Sequence, residues 1–150
     1  MFIKICKRNH GTKFEALQMV QMSKIDPFVY VFKEKEPHFK FATYAEPAET
    51  KPEDARAVAF FLHDFGVSAK DFGGLVKPLA EDHGIHTYSF DRRGHGASEG
   101  EHGVMKIGPV AFRDHWNFFD EVMELGFKED VPKILISHGL GSLFAAHLCA

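Results

Sequence analysis

Apolar and polar positions change their rhythm part-way along this chain. FVYVFKEKEPHFKFATYA, residues 28–45, clusters aromatic and β-branched residues on either side of Pro37, the pattern of two antiparallel strands joined by a charged turn. EPAETKPEDAR is polar, proline-punctuated and without period, hence a loop. AVAFFLH then runs apolar at consecutive positions, as a strand covered on both faces does. In KDFGGLVKPLAEDHG the spacing changes to that of a helix, with Phe72, Leu75, Val76 and Leu79 on one face, Pro78 interrupting, and Gly84 placed for a left-handed cap. IHTYSFD reads as the next strand, and VAFRDHWNFFDEVMELG as a helix with Phe112, Trp116, Phe119, Val122 and Met123 in one stripe. KILIS follows as a strand, and GSLFAAHLCA begins another helix. Residues 1–24 read as an appendage, in which Phe14, Leu17 and Val20 or Met22 suggest one short helix.

Strands alternating with helices in this order predict an α/β sheet whose central strands are parallel and joined by right-handed crossovers. No internal repeat or low-complexity tract divides the chain, so residues 25–150 read as one unit behind the appendage.

Composition narrows the function classes. With 45% apolar and 26% charged residues in 150, the chain is that of an ordinary globular domain rather than a disordered one. A net charge of -3 gives no basic footprint for nucleic acid. No stretch approaches the ~18 uninterrupted apolar residues of a membrane-spanning helix. Cys6 and Cys149, the two cysteines, lie at opposite ends, which suggests neither a disulfide framework nor a zinc site and fits a reducing, cytoplasmic setting. The basic opening MFIKICKRNHGTK leaves organelle targeting open. His83, His86, His95 and His102 have no carboxylate or cysteine neighbours in ligand spacing, so no metal or other cofactor is expected.

The loops after the three central strands carry the chemistry-bearing residues, at the strand ends where open α/β sheets place their sites. They are His63-Asp64-Phe65-Gly66; then Asp91-Arg92-Arg93-Gly94-His95-Gly96-Ala97-Ser98-Glu99-Gly100; then Ser137-His138-Gly139-Leu140-Gly141-Ser142. In this order they resemble the α/β-hydrolase fold, and most the branch of monoacylglycerol lipases, lysophospholipases and S33 serine aminopeptidases. The resemblance covers roughly residues 25–150 and implies the N-terminal portion of such a fold: about five strands with a leading antiparallel hairpin. Asp91, Arg93, Gly94, His95, Gly96, Ser98, Glu99 and Gly100 match that branch's second motif, and His63, Gly66, His138 and Gly141 match the other two.

What the resemblance implies about activity turns on two departures. Gly139 falls at the nucleophile, the tip of the strand-to-helix elbow, and brings no hydroxyl. Moving Ser142 to the tip would flank it with Leu140 and Phe144, too bulky for so tight a turn. The backbone N–H groups of Phe65 and Leu140 correspond to the oxyanion hole, and Asp64 replaces a glycine there, either setting a carboxylate next to where negative charge would develop or serving as a turn residue that bonds its own backbone. The triad's acid and histidine would come later than Ala150, while His63, His95 and His138 match scaffold positions. The expectation is a non-catalytic hydrolase-like protein with a structural or binding role. The alternatives are a serine ester hydrolase seen as a fragment or inactivated variant, and a receptor for a lipid-like ligand. The apolar strand Lys133–Ser137 would be a bare sheet edge, so its expected partner is the rest of the fold or another subunit.

Overall fold

A computed structural model describes residues 3–5, 28–32, 39–104 and 107–150, the first two segments by their backbone alone. Six strands form one sheet: β1 (Ile3–Ile5), β2 (Phe28–Phe32), β3 (Phe39–Glu46), β4 (Ala57–Leu62), β5 (Ile85–Phe90) and β6 (Lys133–Ser137), in the order β1-β6-β4-β5-β3-β2. β4 pairs in parallel with β5 and β6, while β2, β3 and β1 join antiparallel. The expected hairpin is therefore β2 and β3; its charged turn around Pro37 lies outside the described residues, as does the helix suggested for residues 14–22.

β4 is buried at all six positions because both of its faces are covered. Val58, Phe60 and Leu62 point to one side, with Tyr88, Phe90, Leu135, Phe118, Val122 and Leu148, where α2 (Pro109–Met123) and α3 (Gly141–Leu148) pack. Ala59 and Phe61 point to the other, with Ile136, Val76 and the partly buried Phe72 and Leu79 of the segment containing α1 (Gly73–His83). The two-residue side-chain period of a strand thus splits one apolar run between two cores. α1 ends at Gly84, whose φ of 65° is the left-handed cap, with its N–H donating to the Leu79 carbonyl. Pro78 is tolerated because Gly74, whose carbonyl loses its partner, sits on an exposed turn.

Four sequence expectations are corrected. Leu75 is 45% exposed, and the inner face of α1 is Val76 and Ala80, since Ala80 lies one turn on from Val76 and Leu75 is rotated off that line. On α2 the stripe read from sequence is incomplete: Val122 is core, Trp116, Phe119 and Met123 pack half-buried against it and Phe112 is half-buried, but Asp114, His115 and Phe118 are buried beside them. The buried face is wider because Asp114 pairs with Arg93 and His115 stacks flat on Phe144 at 4.1 Å, so two polar residues occupy the inner face. The sheet has a sixth strand because Ile3–Ile5 pairs antiparallel with Ile134–Ile136, so β6 is not a bare edge over those residues. Cys149 is disulfide-bonded, its partner outside the described residues; the β1–β6 pairing brings the two ends of the chain together, a proximity that sequence separation hides. A disulfide is commoner in oxidising surroundings, so the reducing setting inferred from cysteine spacing does not follow. No helix among the described residues is long and apolar enough to cross a membrane.

The wider buried face is testable. Phe118→Ala should cost about 3–5 kcal/mol in urea unfolding, and Phe112→Ala less than half as much. Equal losses would restore the stripe read from sequence.

Candidate functional site

Strand register brings the three motif loops together. Leu62 is opposite Ser137 and Phe61 opposite Ser89, so β4, β5 and β6 end side by side. The His138 N–H donates to the Leu62 carbonyl, and the Arg92 N–H to His63 Nε2 at 3.0 Å. His63 Nδ1 lies 2.7 Å from the Asp64 carbonyl and, with Nε2 accepting, donates to it. Burial, followed by the charge of Arg92, lowers the His63 pKa to about 4, which keeps the ring neutral and in that tautomer.

The ten-residue motif is a tied loop. Asp91, with no exposed surface, accepts from the Tyr44 and Ser68 hydroxyls at 2.7 and 2.9 Å and from the Ala69 and Ala97 N–H groups at 2.7 and 2.9 Å. A Cβ on Gly96, at φ +51°, would run into that carboxylate. Burial pushes the Tyr44 hydroxyl up to about 12, so it remains a donor. Arg93 grips Asp114 with two bonds, 2.6 and 2.9 Å, and lies 4.0 Å over the Phe39 ring. The Ser98 hydroxyl donates to the Asp91 carbonyl and accepts from the Ala42 N–H, while Glu99 accepts from the Lys40 N–H; Gly94 and Gly100 close the loop at positive φ. His95 is buried with Nδ1 on the Arg93 carbonyl and meets Phe65 edge to face at 5.2 Å.

The elbow-like turn lies against the end of β4. Gly141 is buried, and a Cβ there would strike the Leu62 carbonyl, so glycine sets the closeness of the approach. Gly139 is at the tip with φ +53°. The hydroxyls of Ser137 and Ser142 face one another at 3.2 Å beneath the turn, away from the tip. Arg92 is buried below His63 with its guanidinium 5.1 Å over Phe144, and burial draws its pKa down to about 10.

Asp64 decides what this arrangement does. Its Oδ1 accepts from the Phe65 N–H at 2.7 Å and from the Leu140 N–H at 2.7 Å, so one carboxylate oxygen holds both amides named from the resemblance. Two backbone donors on one anionic oxygen at 2.7–3.1 Å is the geometry of an oxyanion site. The other oxygen, Oδ2, lies 3.7 Å from Nδ1 of the exposed His138. A Cβ built on Gly139 would collide with this carboxylate. The two amide bonds, Leu140's first, hold the Asp64 pKa below the ordinary aspartate range, with His138 and Arg92 adding smaller pulls in the same direction. The sequence allows Asp64 to be an opposing charge or a turn residue bonding its own backbone; in the structure it bonds the neighbouring Phe65 N–H and also reaches the Leu140 N–H across the turn. The replacement of a loop glycine by a short acid next to a glycine elbow was the available signal. Gly66, at φ +75°, faces open space. A cavity of about 440 Å³ beside α2, lined among others by Phe39, Arg93, Val104, Val110 and His115, touches neither amide nor Gly139. No cluster of metal-ligating side chains occurs among the described residues.

The sequence profile of the family described as serine aminopeptidase, S33, matches residues 53–150. The chain belongs to that family. Protein phosphatase methylesterase 1 of Candida albicans is 39% identical over 71 residues, which are 47% of this chain and 18% of that relative. A soluble variant of monoglyceride lipase from Saccharomyces cerevisiae in complex with a substrate analog superposes with a TM-score of 0.62 at 21% identity, over 81% of this chain and 38% of the lipase. Monoacylglycerol lipase of Paleococcus ferrophilus gives a TM-score of 0.54 at 27% identity, over 71% and 36%. The fold is that of the α/β hydrolases, in the monoacylglycerol-lipase-like branch, and the chain spans well under half the length of each of these S33-type relatives.

Asp64 has a depressed pKa in the folded chain, so its contribution to stability is present above the unfolded aspartate range and lost as pH falls through the folded value. The Phe65 and Leu140 amide resonances should therefore move together on acidification, with a midpoint below that of an ordinary aspartate. A midpoint at or above the ordinary range would contradict the double bond to Oδ1.

Proposed function

We propose that this chain is a non-catalytic member of the S33 family, with Gly139 at the former nucleophile position and a structural or binding role in a larger assembly. The observation that carries this reading is the Asp64 carboxylate, which accepts from both the Phe65 and Leu140 amides at the tip of the turn. Ester hydrolysis needs a hydroxyl at the tip and two free donors for the oxyanion. Gly139 offers no hydroxyl, and the donors are engaged. Without nucleophile and donors together, little rate enhancement is left beyond what binding supplies. The ester-hydrolase alternative requires both losses to be reversed. The lipid-receptor alternative gains little support, because the cavity beside α2 is separate from the turn where an acyl group would react.

The surrounding scaffold supports a role that uses shape. Asp91, Arg93, Ser98 and Glu99 all spend their polar atoms within the loop and on β3, α2 or the segment before α1, tasks that need no catalysis. An assembly is supported by the sheet itself. β1 covers only Ile134–Ile136 of β6, and the S33-type relatives continue well past the matched length.

Protein expressed from its natural gene should release no product from p-nitrophenyl esters or monoacylglycerols above a heat-denatured control, and Gly139→Ser should not create turnover. Turnover that a serine-directed inhibitor abolishes would overturn the reading. In light scattering the isolated 150-residue chain should self-associate; a monodisperse monomer of about 16.9 kDa would count against the assembly role.

A further inference from the structure

We propose that Asp64 is a tethered ligand of the turn: its carboxylate takes the seat of a reaction anion and the volume of a side chain at position 139, so that a carboxylate at 64 and a side chain at 139 exclude one another. The proposal deepens the reading of Gly139 as the elbow tip and rests on it. Two independent features of the geometry carry it. Oδ1 draws together an amide from the loop after β4 and an amide from the turn after β6, the latter on Leu140, 76 positions from Asp64 in sequence. The collision at Gly139 involves Oδ2, Cγ and Oδ1 alike, so the carboxylate must swing aside about the Asp64 side-chain torsions, away from its two amides, to admit a Cβ.

These two features make the sites interdependent in a definite sense. With Asp64 in place, any side chain at 139 must push the carboxylate off both amides, adding lost hydrogen bonds to the strain of a non-glycine residue at φ +53°. With the carboxylate removed, the space is free and only the backbone strain remains. Removal of the carboxylate also leaves two convergent N–H donors without an anion, and the chemistry that would satisfy them is another small carboxylate. Loss of catalysis at this turn is therefore a two-position state, and restoring a side chain at 139 alone cannot reverse it.

The test is a double-mutant cycle of Asp64→Ala and Gly139→Ala in the full chain, read by urea midpoint, together with an acetate titration of the Phe65 and Leu140 amide resonances. The loss of midpoint caused by Gly139→Ala should shrink at least twofold in the Asp64→Ala background; if the single Gly139→Ala variant does not fold, the double variant should. Acetate should move both amide resonances saturably in Asp64→Ala and leave the unaltered chain unmoved. Equal losses in both backgrounds would overturn mutual exclusion, and an Asp64→Ala protein that is folded yet indifferent to acetate would overturn the anion seat. Neither readout involves turnover, so hydrolysis by the unaltered chain would defeat the non-catalytic reading separately.

Discussion

One carboxylate oxygen holding two backbone amides from different loops is the contact on which the character of this site depends. It exists because β4 and β6 run in register to Leu62 and Ser137, so the loops that follow start from adjacent points. Gly141 then lets the turn settle onto the Leu62 carbonyl, and Gly139 leaves the tip without a side chain. Asp64 has the reach to close the remaining gap. The same convergence that serves an oxyanion in a hydrolase serves a permanent anion here, and the two uses compete for the same pair of donors.

The scaffold around this contact makes clear what the second motif's residues do besides any chemistry. Asp91 is fully buried with four donors on it, two hydroxyls and two backbone N–H groups. Removing the carboxylate would strand the buried Ala69 N–H, at about 1–3 kcal/mol, and leave the three more exposed donors to turn to water. Arg93 holds Asp114 on the inner face of α2 while covering Phe39, so it ties hairpin, loop and helix together. These residues hold the domain together whether or not a nucleophile is present, so matching them identifies the fold rather than the activity.

Much of this was legible in the sequence. β4, β5 and β6 announced themselves by composition and length, and Gly84 marked the end of α1, because those signals are local. The order of the three loops pointed to the fold. What escaped depended on distant partners. Asp114 and His115 lie outside the apolar stripe read on α2, yet they are buried against Arg93 and Phe144. Ile3–Ile5 has no pattern that announces its pairing with β6, and Cys149 gave no hint of a disulfide while its neighbours in space were unknown. Asp64 stands out in the sequence as an acid where a glycine is expected, but its bond to the Leu140 amide, 76 residues on, depends on a partner that local sequence does not reveal.

Glycine at the tip and aspartate beside it answer two different physical demands. A non-glycine residue held at positive φ costs on the order of 1–3 kcal/mol, which glycine at 139 avoids. The convergent Phe65 and Leu140 amides need an acceptor, and the Asp64 carboxylate supplies one oxygen to both. The two demands meet in one place, because the carboxylate on those amides occupies the space a Cβ at 139 would take. The glycine that relieves the backbone is therefore also what leaves room for the anion, and the two positions are coupled in this chain.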